Sequence, residues 1–361
     1  MVASHLSIYL SEMWPVRYNP GGPEIPMGKF RQTLILTVGL CLWVVFHPLS
    51  AQQDAPKKSL TLVTSFGPGA IHLPTGPDWK ADAITVYDNG RRPVAQLHKG
   101  ETITASFILF ENLSGKPTAN GCRQDVIEPI VAGNAGLVSK RVDAEEKNAA
   151  GETLATTTYL IDMSVVAKGH HQRNLFAFAG DARMCAEIHV SSVDEGPDEA
   201  ERMKALIAAF QPDLNYQPTA TDYFRLGQLF FNNTPALAGP YFKASLGAMP
   251  NDPTYLTARR IATDQLVMSL GMSGDLKGSR AAAENAIAAD PDYPLNYYNL
   301  ACADAEEGKA SDAKLHLQQA FDRRANVLKG ESMPDPTKDD SILKLKKDQA
   351  FWAFVLTLPR N

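Results

Sequence analysis

Residues 274–327 read GDLKGSRAAAENAIAADPDYPLNYYNLACADAEEGKASDAKLHLQQAFDRRANV, and their pattern recurs after 34 residues. Gly274 is followed by Ala281, Ala282 and Ala286, then by the stop Asp290-Pro291. Gly308 lies 34 positions beyond Gly274 and is followed by Ala313, Ala320 and Phe321. Small residues at helical spacing mark places where two helices cross closely. Between the glycines, Tyr297, Leu300 and Ala301 supply the large and small residues of a preceding helix. A helix pair cannot bury its own apolar face, so about three stacked pairs are needed for a stable array.

A two-helix unit of this length resembles the tetratricopeptide repeat, most clearly from Arg260 to Val327. The unit before the last keeps Leu266, Gly274, Ala286 and Pro291 but has Thr263 where the large aromatic stands. A fainter unit precedes it. Tyr223, Leu226, Gly227 and Phe230 match the first helix; Ala238, Phe242, Leu246 and Pro250 match the second after a one-residue insertion. The resemblance implies that the first helix of each unit lines a concave groove for a protein or peptide. By register the groove positions are Phe224, Gln228 and Phe231, then Asp264 and Met268, then Tyr298, Cys302 and Glu306. Aromatic and methionine side chains suit peptide recognition. The family's clamp for a terminal carboxylate uses Lys, Arg and Asn. These positions hold no Lys, and Asn299 alone does not supply the clamp.

Upstream, the pattern changes to strands. Thr102–Phe110, Thr156–Val166 and Leu175–Phe178 are rich in β-branched and aromatic residues, and Cys185–Val190 alternates apolar and polar. Turn residues separate them at Asp88-Asn89-Gly90, Ser114-Gly115-Lys116-Pro117, Lys168-Gly169 and Gly180-Asp181. Arg123–Ala132 fits either a helix or an extended segment. Asp198 then offers an N-cap for a helix over Glu199–Phe210, with Met203, Leu206, Ile207 and Phe210 on one face. Strands followed by one amphipathic helix predict an α+β domain, an antiparallel sheet or sandwich with a closing helix, over residues 59–210. Its layout and the Ile207 to Phe210 ending resemble the PsbP-like sandwich, an extrinsic non-catalytic fold. Residues 211–221 read as a linker, 222–328 as the all-α repeat domain, and 335–358 as capping helices. In that tail Asp339 or Asp340 caps a helix with Ile342, Leu343 and Leu345.

Residues 27–51 carry a basic start (Lys29, Arg31), an apolar run from Thr33 to Phe46, and small residues ending at Ala51. This is the layout of a secretory signal peptide, and a periplasmic or secreted location follows. The membrane is met through this segment alone, if it stays uncleaved. Residues 1–26 lack the pattern and read as an extension ahead of Met27. In an oxidising compartment Cys122 and Cys185, both in the β-rich domain, are expected to pair, leaving Cys302 free.

Function classes narrow by composition and by motif. The chain has 361 residues, 44% apolar and 21% charged, with a formal net charge of −5, which gives no electrostatic ground for nucleic-acid binding. Phosphate-binding glycine loops, His-Glu-x-x-His and Gly-x-Ser-x-Gly do not occur. Ser311–Lys314 and Ser341–Lys344 match Ser-x-x-Lys without its companion motifs. Lys344, Lys346 and Lys347 fit a solvated helix face. The expectation is a non-catalytic scaffold without cofactor or metal. The alternatives are a hydrolase or metal enzyme using His72, His170 or His189, or a small-ligand carrier in the sandwich.

Overall fold

The computed structural model describes residues 60–74, 79–87, 92–99, 102–113, 115–163, 170–193 and 196–359. The expected signal peptide at 27–51 and the extension before it lie outside the described residues.

Seven antiparallel strands form one sheet: β3 (Trp79–Tyr87), β4 (Arg92–Lys99), β5 (Ile103–Glu111), β6 (Val138–Lys147), β7 (Thr153–Asp162), β8 (His171–Gly180) and β9 (Met184–Ser192). Their spatial order is β3-β4-β5-β9-β8-β7-β6. A helix covers each face. Helix α1 (Ala119–Gly133) lies over Ala155, Tyr159, Phe176, Phe178 and Cys185, and helix α2 (Pro197–Ala208) over Phe107, Leu175, Ala177, Ala186 and Ile188. Burial on both sides is why residues 175–179 of β8 are a continuous apolar run, and why Glu187, at a polar position of alternating β9, is also buried. Edge strand β6 carries Lys140, Arg141, Asp143, Glu145 and Glu146, and such charges discourage pairing with another chain.

The ambiguous segment Arg123–Ala132 lies within helix α1, which begins four residues earlier, after Thr118. The Thr118 hydroxyl accepts the Gly121 amide at 3.0 Å and caps it. Helix α2 starts earlier than the sequence suggests. Gly196, not Asp198, is the N-cap, because Pro197 fits the first helical position, where an N–H has no partner. Asp198 instead sits in the first turn, and Phe210 packs into the core just past the helix end.

A second sheet joins this domain to the helices. Strands β1 (Thr61–Val63) and β2 (Ala70–His72) pair, and β10 (Pro212–Asp213), from the stretch that reads as a linker, pairs with β2. Six helices then follow as three pairs: α3 (Ala220–Phe231) with α4 (Pro235–Ala248), α5 (Leu256–Met272) with α6 (Leu276–Ala289), and α7 (Pro294–Glu306) with α8 (Ala310–Asp322). Gly274 and Gly308, one period apart, have φ of +87° and +75°. The repeat is therefore one of backbone conformation too, since a left-handed turn favours glycine. Ala313, Leu317 and Ala320 are fully buried against Tyr297 and Ala301. Short helices α9 (Asp340–Leu343) and α10 (Gln349–Thr357) close the chain, capped by Asp339 and Asp348. Ile342, Phe351 and Val355 enter the core of the last pair. The architecture is an α+β domain followed by a helical-repeat domain.

Candidate functional site: the inner face of the helical array

Consecutive first helices approach each other directly, α3 to α5 and α5 to α7, while the second helices stand further apart. The first helices therefore line the inner side of the curve. Two side-chain bridges stitch this face together. Gln228 Nε2 donates to Gln265 Oε1 at 2.8 Å, and Asn299 Nδ2 donates to Asp264 Oδ1 at 2.7 Å.

The positions assigned by register fall into three groups. Phe224 and Phe231 are half-buried and turn their rings toward Phe242, at centroid distances of 5.6 and 6.0 Å. Asp264 and Met268 lie on α5, with Met268 38% exposed and Met272, one turn on, 54% exposed. Tyr298, Cys302 and Glu306 lie on α7 beneath the chain's own C-terminal segment. The Tyr298 hydroxyl donates to Asp339 at 3.3 Å and the Cys302 thiol reaches the same carboxylate at 3.7 Å. Glu306 accepts the Ser341 hydroxyl at 2.8 Å and pairs with Lys344. Further along, Glu331 accepts the Tyr293 hydroxyl at 2.9 Å.

The electrostatics follow from these partners. Burial raises Asp264 to about 6; the Asn299 bond opposes this and Glu331 adds to it. Burial pushes the Cys302 thiol well up, and the Asp339 carboxylate reinforces it, so Cys302 is a poor nucleophile. Arg260, one turn before Asp264, is committed to Asp290 at 2.6 and 3.1 Å.

Sequence reasoning missed Gln265, Met272 and Glu331, and read Asp339 only as a helix cap. Met272 was accessible to it, since it precedes Glu306 by one period. Glu331 belongs to a segment without periodicity and left no such signal; Asp339 signals its cap but not its contacts with Tyr298 and Cys302.

The β-domain residues are dispersed. Cys122 and Cys185 form a disulfide with Cα atoms 5.8 Å apart, tying α1 to β9. His72 lies on the small sheet, with Nδ1 3.1 Å from the Thr61 hydroxyl. His170 directly precedes β8, where its carbonyl accepts the Met163 amide. On β9, His189 stacks on Phe176 at 3.9 Å and meets Asn174 at 2.9 Å. Removal from water pulls its pKa to about 4. Neighbouring Glu187 is buried and rises to about 7. The structure does not bring the three histidines together. Among the described residues, no group of three His, Cys, Asp or Glu is placed to hold a metal ion.

Fold and face together define an α+β domain carrying an array of three helix pairs. No family profile matches the sequence, and no curated protein matches it. Solved structures do align. The type IV pilus biogenesis factor PilW aligns at 22% identity and TM-score 0.29, over 44% of this chain and 66% of its own. A multi-domain immunophilin from Arabidopsis thaliana aligns at 11% identity and TM-score 0.26, over 67% of this chain and 98% of its own. A protein from Bacteroides thetaiotaomicron aligns at 10% identity and TM-score 0.28, over 58% and 78%. Scores this low carry no argument about this chain, and the fold assignment rests on the helix pairs themselves.

Proposed function

We propose that the chain is a non-catalytic adaptor of the cell envelope, whose helical array holds a protein or peptide partner on its inner face. The observation that carries this reading is the uneven cover of that face. The α7 portion is closed by residues 331–344, while Met268 and Met272 on α5 stand in solvent. Exposed methionines adapt to varied apolar side chains. A signal-like segment at 27–51 and a disulfide in the β domain support an oxidising, extracytoplasmic location.

The array and the β domain share a core. Val63, Ala70 and Val86 pack with Tyr223, Leu226, Tyr241 and Phe242. Deleting the array would strip that core, so the test is a surface change. Full-length chain and its Met268→Arg variant are compared in quantitative capture from envelope extract. Loss of the captured protein in the variant supports the reading; undiminished capture overturns it.

A further inference from the structure

The array carries an example of its own occupancy. On α7, the positions Tyr298, Cys302 and Glu306 are covered by the cis segment, and each makes a polar contact with it: the hydroxyl and thiol donate to Asp339, and the carboxylate accepts from Ser341 and Lys344. One period earlier, the same register on α5 holds Asp264, Met268 and Met272. The chemistry there is inverted. A carboxylate acceptor replaces the hydroxyl donor, and two thioethers replace the thiol and the carboxylate.

That portion is also short of positive charge. Glu331 accepts the Tyr293 hydroxyl at 2.9 Å, and burial first, then the charges of Asp264 and Glu331, raise the pKa of that hydroxyl. Among the described residues, Asp264 has only the neutral Asn299 amide as its hydrogen-bond partner, and Glu331 has only the Tyr293 hydroxyl and the Leu328 amide. Arg260 is turned to Asp290, stacking on Tyr293 at 4.8 Å on the way. No cation pairs with Asp264 or Glu331 among the described residues.

We propose that this open portion takes a peptide segment that brings a Lys or Arg side chain to Asp264 and Glu331 and an aliphatic side chain onto Met268 and Met272. The proposal rests on the groove reading above and deepens it by naming the partner's chemistry. It is opposite in sign to a clamp for a terminal carboxylate. Charge complementarity sets orientation and selectivity, and the apolar contact with the methionines supplies the anchor.

Fluorescence anisotropy on the full chain tests it, with labelled decapeptides that alternate Leu with Lys, Leu with Glu, or Ser with Lys. Expected is binding of the Leu/Lys peptide at least about tenfold tighter than either of the others. Asp264→Asn combined with Glu331→Gln keeps the Asn299 and Tyr293 hydrogen bonds and should weaken the Leu/Lys peptide by about tenfold. Equal affinity of that variant, or preference for the Leu/Glu peptide, overturns the proposal. If Leu/Glu binds and Met268→Arg changes that binding, the groove stands and only the charge assignment falls. If no peptide binds, the charge assignment falls, and the capture experiment with Met268→Arg decides the groove by itself.

Discussion

The hydroxyl of Tyr241 donates to the carbonyl of Val63 at 3.1 Å, across 178 positions of sequence, and both residues are fully buried. It joins the first helix pair to the strand that docks on the main sheet. Tyr241→Phe leaves a buried carbonyl unpaired and should cost about 1–3 kcal/mol. Tyr241→Ala adds a cavity and should cost about 3–5 kcal/mol. Urea unfolding checks both. If the two parts are one cooperative unit, the sheet and the helices lose stability together in each variant.

Gly227 on α3 faces the ring of Phe242 on α4, and a Cβ there would sit 2.7 Å from it. Gly227→Ala should therefore destabilise by about 1–3 kcal/mol through overpacking. Gly247, inside α4, has nothing within 4 Å of such a Cβ. Gly247→Ala should instead stabilise by up to about 1 kcal/mol, as expected for an unobstructed helix position. Opposite shifts in the denaturation midpoint are the check.

Much of this architecture is legible in the sequence because its elements repeat a local rule. Gly274 and Gly308 announce left-handed turns one period apart, and Ala313 and Ala320 announce close crossings. Helix α1 is less legible: it contains Gly121 and Pro129, and its buried residues Cys122, Ile127 and Ile130 are sparse. The role of Pro212–Asp213 is a single strand pairing with no pattern to betray it. Register places Phe224, Asp264 and Tyr298 on the first helices of their pairs, but the cover over Tyr298 and Cys302 depends on long-range contacts with Asp339 that no periodicity encodes.

The disulfide holds a helix of low intrinsic propensity on the sheet. Replacing Cys122 and Cys185 by Ser should cost about 2–4 kcal/mol. Cys302 should behave oppositely to a reactive thiol. Its raised pKa and its place under Asp339 predict slow alkylation in the folded chain and rapid alkylation in urea. Peptide mapping after iodoacetamide treatment separates the sites.

Buried Glu187 and half-buried His189 give stability an opposed dependence on pH. Glu187 is raised from 4.5 to about 7 by burial, with Arg92 opposing. The folded state thus keeps a proton that the unfolded chain releases, so this contribution is full below 4.5 and lost as pH rises through 7. His189 is lowered from 6.5 to about 4, so its contribution is full above 6.5 and lost as pH falls through 4. Glu187→Gln removes the first effect. The stability of the variant relative to the native chain should rise between about pH 5 and about pH 7.5, by at most about 3 kcal/mol. A flat difference in chemical denaturation across that range contradicts the assignment.

The central claim is that a partner sits on the inner face of the array. Hydrogen–deuterium exchange of the full chain, alone and with its captured partner, tests it most directly. The account predicts slowed exchange concentrated in α5, around Asp264–Met272, with little change in β3–β9. Protection confined to the seven-stranded sheet, with α5 unchanged, would contradict it.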